Sequence, residues 1–283
     1  MENILKPGQS IELLKELHIL TQDGKINQDS RRKLKQVYHL FNFIEPLMKD
    51  ILLEKNKMNL IDHGAGKSYL GFILYDLFVN GKNFEQQCHL YGIETRPELV
   101  TKSQNLAEKL KFKNMSFLNL SVTESIESKK LPAEIDIVTA LHACDTATDD
   151  AIRFAIYRQS KYIVIVPCCQ AEVATHLKDS KKKLSAHALS EIFRHGIHTR
   201  EFGSHLTNIF RCLQLESFGY QVTVTELVGF EHSMKNELII AKLIEKPRPR
   251  FAKKLQDLLN QFALDSLKNR FFLPEFNSES NKS

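Results

Sequence analysis

The sequence lacks the features that mark membrane and secreted proteins. It contains no run of about 18 apolar residues, which excludes an ordinary membrane-spanning helix. Its first residues, 1–6, lack the positively charged and then apolar layout of a secretory signal. We therefore expect a cytoplasmic protein with no membrane partner.

Cysteine is scarce and irregularly spaced. The chain has five cysteines, an odd number, of which Cys168 and Cys169 are adjacent. Disulfide-stabilised scaffolds carry an even number of cysteines at characteristic spacings. The cysteine pattern of this chain therefore excludes that class and favours free thiols in a reducing compartment. Hydrophobic residues make up 42% and charged residues 26% of the chain, which excludes disordered, collagen-like and coiled-coil proteins.

The net charge of +5 is small, but basic residues cluster within residues 31–35, 181–183 and 246–254. Such runs neutralise phosphates when a protein binds nucleic acid. They are also typical of solvated helix faces. The charge pattern alone leaves both interpretations open.

The order of apolar patterns predicts an α/β fold. Residues 8–57 have apolar residues at helical spacing, interrupted at Asp23-Gly24-Lys25, and no strand pattern. From residue 58, short apolar runs alternate with amphipathic stretches, which favours a mostly parallel sheet covered by helices. The predicted strands are 58–61, 88–93, 115–118, 135–141, 162–166, 221–228 and 237–244. The predicted helices lie near 69–80, 97–111, 122–130, 149–158, 198–218 and 251–264.

A glycine-rich turn, Asp62-His-Gly-Ala-Gly-Lys-Ser68, follows the first predicted strand. A phosphate-binding P-loop would need glycine where the sequence has Ile61, and a dinucleotide fingerprint would need glycine where it has Tyr69. The remaining form, Asp-x-Gly-x-Gly, suits a cofactor without phosphates. Gly64 and Gly66 would let its ribose and aminoacyl chain lie against the main chain. A tight strand-to-helix turn without a ligand is the alternative.

An acidic residue ends each of the first two predicted strands. Asp62 is placed to steer a water molecule or the ammonium group of such a cofactor. Glu94, at the end of Leu90-Tyr-Gly-Ile-Glu94, is placed to accept hydrogen bonds from two ribose hydroxyls. An exposed strand-end glutamate is the alternative, and the preceding glycine turn favours the ribose interpretation.

Two later motifs narrow the interpretation. Ala-Leu-His-Ala-Cys-Asp-Thr-Ala-Thr-Asp follows the fourth strand at 140–149, and Val-Pro-Cys-Cys follows the fifth at 166–169. With the glycine turn, they resemble class I S-adenosylmethionine-dependent methyltransferases. They are most similar to the bacterial family with His-Ala-Cys-x-x-x-Thr-Asp and Pro-Cys-Cys motifs. Related motifs occur in the eukaryotic acceptor-stem tRNA ribose methyltransferases and in the glutathione S-transferase C-terminal-domain-containing protein. The resemblance extends over roughly residues 30–244.

The resemblance implies a seven-stranded sheet with S-adenosylmethionine across the carboxyl ends of the first strands. Ser121 stands where these enzymes often carry an acid for the adenine amine, and it would accept that hydrogen bond more weakly. The implied cofactor contacts are Asp62, Gly64, Ala65, Gly66, Glu94, Ser121, Val122 and Leu141.

The segments after the fourth and fifth strands should meet beside the transferred methyl group. His142 or Asp145 could remove a proton from a hydroxyl acceptor. A zinc site built from His142 and cysteines 144, 168 and 169 is the rival, but adjacent cysteines point apart and structural zinc prefers Cys-x-x-Cys. Packing thiols and a cysteine nucleophile remain alternatives. Helix N-capping is the alternative role for Asp145, Thr146, Thr148 and Asp149.

These inferences predict an S-adenosylmethionine-dependent methyltransferase whose hypothesised acceptor is RNA, with no bound metal. A methyltransferase for a small molecule or a protein side chain is the alternative, as is a cofactor-binding module without catalysis. The predicted organisation is a helical N-terminal extension at 1–55, the methyltransferase domain at 56–245, and a C-terminal helix with a polar tail at 246–283.

Overall fold

A computed structural model describes residues 5–141, 146–167, 170–184, 188–227, 237–244 and 246–273. For residues 180–184 and 188–189 it describes only the backbone. Within them, seven strands form one sheet in the order β3-β2-β1-β4-β5-β7-β6, and β7 runs antiparallel to both neighbours. The expected α/β class and seven-stranded sheet are therefore confirmed. The strands are β1 Met58–His63, β2 Cys88–Glu94, β3 Met115–Asn119, β4 Ile137–Leu141, β5 Tyr162–Val166, β6 Tyr220–Glu226 and β7 Glu237–Leu243.

The helices cover the sheet on both faces and are α1 Ile11–Glu16, α2 Gln28–Lys55, α3 Tyr69–Leu74, α4 Pro97–Lys109, α5 Val122–Glu127, α6 Thr146–Tyr157, α7 Glu172–Leu184, α8 Gly196–Ser217, α9 Pro249–Gln261 and α10 Lys268–Phe271. A π-helical turn, Tyr75–Asn80, continues α3. Short 3₁₀ turns lie at Ala188–Phe193 and Asp265–Leu267. None of the described helices is long and apolar enough to cross a membrane.

The sheet has apolar side chains on both faces because helices bury both. All five residues of β5 are buried, as a continuous apolar run predicts for an interior strand. One apolar core lies between the sheet and α2, α3 and α4, and a second lies between the sheet and α6. This arrangement leaves the carboxyl ends of β1 to β4 as the edge where ligands of such sheets bind.

The N-terminal helices belong to the first of these cores. Ser10 and Asn27 cap α1 and α2 by accepting hydrogen bonds from backbone N–H groups, as their residue types favour. Asp76, in the π-helical turn that continues α3, accepts hydrogen bonds from Ser10 N at 2.9 Å and from the Gln9 side chain. The predicted division of the chain at residues 55 and 245 stays a prediction.

Helix α7 was not predicted by the sequence pattern, because its lysine-rich stretch has few apolar residues. Tertiary packing places it against α8. A Cβ atom added at Gly203 of α8 would lie 2.7 Å from Ala174 Cα, so the missing side chain is what lets the two helices approach. The fourth strand begins at Ile137 and not at the predicted residue 135. Asp136 precedes it and its carboxylate accepts a hydrogen bond from Asn59 N at 2.8 Å.

Candidate functional site

The bend between β1 and α3 has the conformation that its glycines allow. Gly64 and Gly66 have φ angles of +68° and +58°, in the left-handed region that residues with a Cβ rarely adopt. Ala65 N donates to Ile93 O at 3.0 Å, and Ser68 N donates to Ala65 O at 2.7 Å. The bend is therefore tight and held against the end of β2.

Glu94 lies directly beside this bend. Its side chain is 7% exposed, and its Oε2 accepts a hydrogen bond from Gly66 N at 2.8 Å. Arg96 donates to Oε1 from its backbone N at 3.1 Å and from Nε at 3.0 Å. Burial alone would raise the pKa of Glu94, but the hydrogen bonds from Arg96 and Gly66 outweigh it and lower the pKa to about 2. Glu94 is thus a carboxylate at every physiological pH.

Arg96 is the main competitor for any ligand of Glu94. Its Nη2 also donates to Oε2 at 3.1 Å, so both carboxylate oxygens already accept hydrogen bonds. The Arg96 side chain is 60% exposed, which leaves it free to move toward solvent. Sequence reasoning missed this residue, although an arginine two positions after a strand-end acid is a detectable signal.

Asp62 is buried on the inner side of the bend. Its Oδ1 accepts a hydrogen bond from Thr139 Oγ1 at 3.0 Å, and its Oδ2 accepts one from Ser68 Oγ at 3.5 Å. Burial raises the pKa of Asp62 to about 7, although these hydroxyls act in the opposite direction. The carboxyl group is therefore close to half-protonated at neutral pH. A cation at this position would favour the ionised form.

His63 is a buried residue of the bend that sequence reasoning did not single out. It is 5% exposed, and neither ring nitrogen has a hydrogen-bond partner among the described residues. Its ring packs against Phe154 of α6 with centroids 5.4 Å apart. Burial lowers the pKa of His63 to about 4, so the ring is neutral near pH 7. The signal in the sequence was a histidine at the end of the first strand, next to Asp62.

The residues predicted to meet the adenine lie at the start of α5. Ser121 caps this helix: its Oγ accepts from Glu124 N at 3.3 Å and donates to Glu124 Oε2 at 2.7 Å. The exposed hydroxyl therefore serves its own helix, which weakens the case for it as a cofactor acceptor. Val122 is the first residue of α5, and Leu141 is the last residue of β4.

The predicted acceptor-side residues lie outside the described residues: His142, Cys144, Asp145, Cys168 and Cys169, with the whole of 228–236. The strands that precede the two cysteine motifs are described. Leu141 of β4 and Val166 of β5 are Cα partners in a parallel register, so the two motifs leave the sheet at neighbouring points. Among the described residues, no group of three or more His, Cys, Asp or Glu could hold a metal ion.

A buried polar network joins residues of α6, α8 and β7. Arg211 of α8 is fully buried, and its Nε donates to Asp149 Oδ1 at 2.6 Å. Arg211 also donates to Asn208 Oδ1 at 3.1 Å, and Asn208 Nδ2 donates to Glu237 Oε2 at 2.7 Å. The side-chain amide of Gln170 lies 2.7 Å from Asn208 Oδ1. The network thus links Asp149, Gln170 and Glu237, which follow the undescribed segments 142–145, 168–169 and 228–236 closely in the sequence.

The capping interpretation of Asp149 is not what its contacts show, since both carboxylate oxygens face arginines. Arg211 contacts Oδ1, and Arg270 lies 3.5 Å from Oδ2. Sequence reasoning missed Arg211 as well. Its signal was an arginine at helical spacing from Thr207 and Leu215, on the buried face of α8.

Comparisons with known proteins agree with this architecture. A family model described as a methyltransferase domain matches residues 32–176, which is just over half of the chain. The glutathione S-transferase C-terminal domain-containing protein homolog of Drosophila melanogaster is 23% identical over 237 residues. That alignment covers 76% of this chain but only 37% of the relative's length.

Solved structures of methyltransferases also align with the chain. Magnesium protoporphyrin IX methyltransferase from Synechocystis, solved with bound S-adenosylhomocysteine, has a TM-score of 0.44 and 13% identity, covering 82% of this chain and 94% of that one. An rRNA methylase from Streptococcus thermophilus has a TM-score of 0.38 and 9% identity, covering 67% and 88%. Since the family model matches residues 32–176, from α2 through β1 to β5 and into α7, the chain belongs to the methyltransferase domain family.

Proposed function

We propose that the bend and Glu94 hold S-adenosylmethionine and that the enzyme methylates RNA. The observation that supports the cofactor part is the 2.8 Å hydrogen bond between Gly66 N and Glu94 Oε2. It brings a permanently ionised carboxylate to a bend that has room for a ligand: an added Cβ at Gly66 would meet only Arg96 Nη2, at 3.8 Å. When bound, S-adenosylmethionine supplies a methyl group carried on a cationic sulfonium.

In this proposal, each predicted site residue has a distinct role. Glu94 accepts hydrogen bonds from the ribose hydroxyls. These replace one or more of the hydrogen bonds that Arg96 donates to the Glu94 carboxylate. Asp62 attracts the ammonium group, directly or through a water molecule. His142 or Asp145 takes the proton when the acceptor is a hydroxyl. Ala65, Ser121, Val122 and Leu141 remain predicted contacts of the aminoacyl chain, the adenine and the ribose.

The observation that supports an RNA acceptor is the exposure of the basic clusters. Arg31, Lys33 and Lys35 on α2 are exposed, as are Lys253 and Lys254 on α9. None of the five has an acidic partner in the described part of the chain. Unpaired basic side chains bind phosphates by releasing counterions, and the affinity then falls with salt.

Tritium transfer identifies the acceptor. A cell extract from a deletion strain is incubated with the enzyme and S-adenosyl-[methyl-³H]methionine and then separated into RNA, protein and small-molecule fractions. We expect label in the RNA fraction. A Gly64→Arg variant should give none, because it places a large side chain at a left-handed φ on the cofactor bend. Label confined to the protein or small-molecule fraction would refute the RNA acceptor, and no label anywhere would refute catalysis.

The pH dependence of cofactor binding tests Asp62. The pKa of Asp62 is about 7 in the free protein, above its value in an unfolded chain. A bound ammonium group would lower it, so binding releases a proton below pH 7. We expect the affinity for S-adenosylhomocysteine to fall as the pH drops from 7 to 5.5, by up to about tenfold per pH unit. Calorimetric titration across this range measures it.

The matched control is Asp62→Asn, which has no proton to release at this position. Its affinity should vary little between pH 5.5 and 7. An equal pH dependence in the variant would assign the effect to another group. The contribution of Asp62 to folding stability has the opposite pH dependence. Because the pKa of Asp62 is higher in the folded protein than in the unfolded chain, this contribution is fully present below about pH 4 and is lost as the pH rises through about 7.

A further inference from the structure

A cavity opens beside the bend, between the start of α3 and α4. Its volume is about 400 Å³, within the range of small-molecule sites. Three structural units form it: the residues just after α1, the start of α3, and one face of α4. Lys67, the residue that follows Gly66, lines this cavity. The Gly66-Lys67-Ser68 sequence, which does not form a P-loop, thus supplies a cation here.

The charge of the cavity is positive and largely unpaired. Lys67, Lys102 and Lys109 line it together with one acid, Glu16. Glu16 is already neutralised by Lys109, whose Nζ lies 2.7 Å from its carboxylate oxygen. Lys67 and Lys102 are exposed and have no acidic partner in the described part of the chain. Two free ammonium groups therefore face one cavity, which is complementary to a phosphate.

The wall of the cavity is apolar and contains an aromatic ring. Leu17, Leu99 and Leu106 contribute apolar surface, and the partly buried Tyr69 lies two residues after Lys67. A site with cations at one part and an aromatic and apolar wall at another matches a nucleotide, which has a charged phosphate and a flat base. A simple inorganic anion has no apolar surface that could pack against this wall.

We propose that this cavity is a nucleotide-binding subsite for the RNA acceptor. Lys67 and Lys102 hold a backbone phosphate, and the base packs against Tyr69 and the leucines. The inference rests on the proposed function for its occupant. Because Lys67 lies in the bend between β1 and α3, the subsite fixes the acceptor strand relative to the cofactor. The segment after α1 then gains a role, since Leu17 and His18 close one side of the cavity.

The experiment compares the full-length enzyme with the double variant Lys67→Gln/Lys102→Gln. Binding of a ten-nucleotide single-stranded RNA is measured by filter retention at several salt concentrations. Each lost phosphate contact lowers the slope of log affinity against log salt by about 0.7. Because both lysines hold the same phosphate, we expect the double variant to lose about 0.7 units of slope and Lys102→Gln alone to lose less than that. A Lys129→Gln/Lys130→Gln control removes the same charge from exposed residues elsewhere and should keep the wild-type slope.

Calorimetry with S-adenosylhomocysteine verifies that the variants keep the fold and the cofactor site. A wild-type slope in the double variant would overturn the subsite. If the double variant loses binding of free AMP but keeps the RNA slope, the cavity takes free nucleotides and the RNA form of the proposal is wrong. The proposed function is tested separately: labelled RNA with an unchanged slope refutes only the subsite, and a changed slope without labelled RNA refutes only the acceptor.

Discussion

Replacing Glu94 by glutamine should weaken binding of S-adenosylmethionine by about 100-fold or more. Hydrogen bonds to a charged group contribute about 1.5–3 kcal/mol each, and a ribose would donate two to this carboxylate. Glutamine keeps the volume of the side chain but loses its charge and one acceptor oxygen. Because Glu94 is 7% exposed and 2.8 Å from Gly66 N, water cannot easily replace it. Isothermal titration calorimetry measures the loss.

The control for this substitution is Glu98→Gln. Glu98 lies four residues later, in the first turn of α4, and is exposed. Its replacement removes the same charge and should change the dissociation constant by less than about twofold, as expected for a screened surface charge. Wild-type affinity in the Glu94→Gln protein would contradict the assignment of the cofactor site. Equal losses in both variants would assign the effect to long-range charge.

Replacing Arg211 by methionine should destabilise the folded protein by about 3–5 kcal/mol. Removing one partner of a buried ion pair leaves the other charge poorly compensated. Arg211 is fully buried and lies 2.6 Å from Asp149, whereas the other arginine near Asp149 among the described residues, Arg270, lies farther away at 3.5 Å. For a protein of this size we expect the melting temperature to fall by about 10 °C. Thermal unfolding followed by circular dichroism measures the change.

A double-mutant cycle distinguishes a charge effect from poor packing. The variant Asp149→Leu/Arg211→Met removes both charges and should be more stable than either single variant, because no buried charge is left unpaired. Arg32→Met provides a surface comparison, since Arg32 lies 3.9 Å from Asp29 and both are exposed. It should shift the melting temperature very little. A double variant that melts below both single variants would contradict this account.

The sequence by itself determined the sheet and the position of the glycine-rich bend between β1 and α3. Seven short apolar or alternating runs predicted seven strands, and all seven form. The interior strands β4 and β5 are near-continuous apolar runs because both of their faces are buried, whereas the edge strand β6 is mostly exposed. The glycines at 64 and 66 were interpretable because a left-handed φ restricts the choice of residue. The acid at 94 could be placed because parallel strands end at one edge of a sheet.

Other features were decided only by tertiary structure. The local sequence pattern of residues 172–184 did not require a helix. The close packing of Ala174 against Gly203 positions α7 against α8. The partners of Asp149 come from α8 and α10, which are 62 and 121 residues away along the chain. Lys67 and Lys102 meet in one cavity because the helices after β1 and β2 lie on the same face of the sheet. Local propensity and periodicity report a residue's own segment, whereas ion pairs and cavities depend on which distant segments the folded chain brings together.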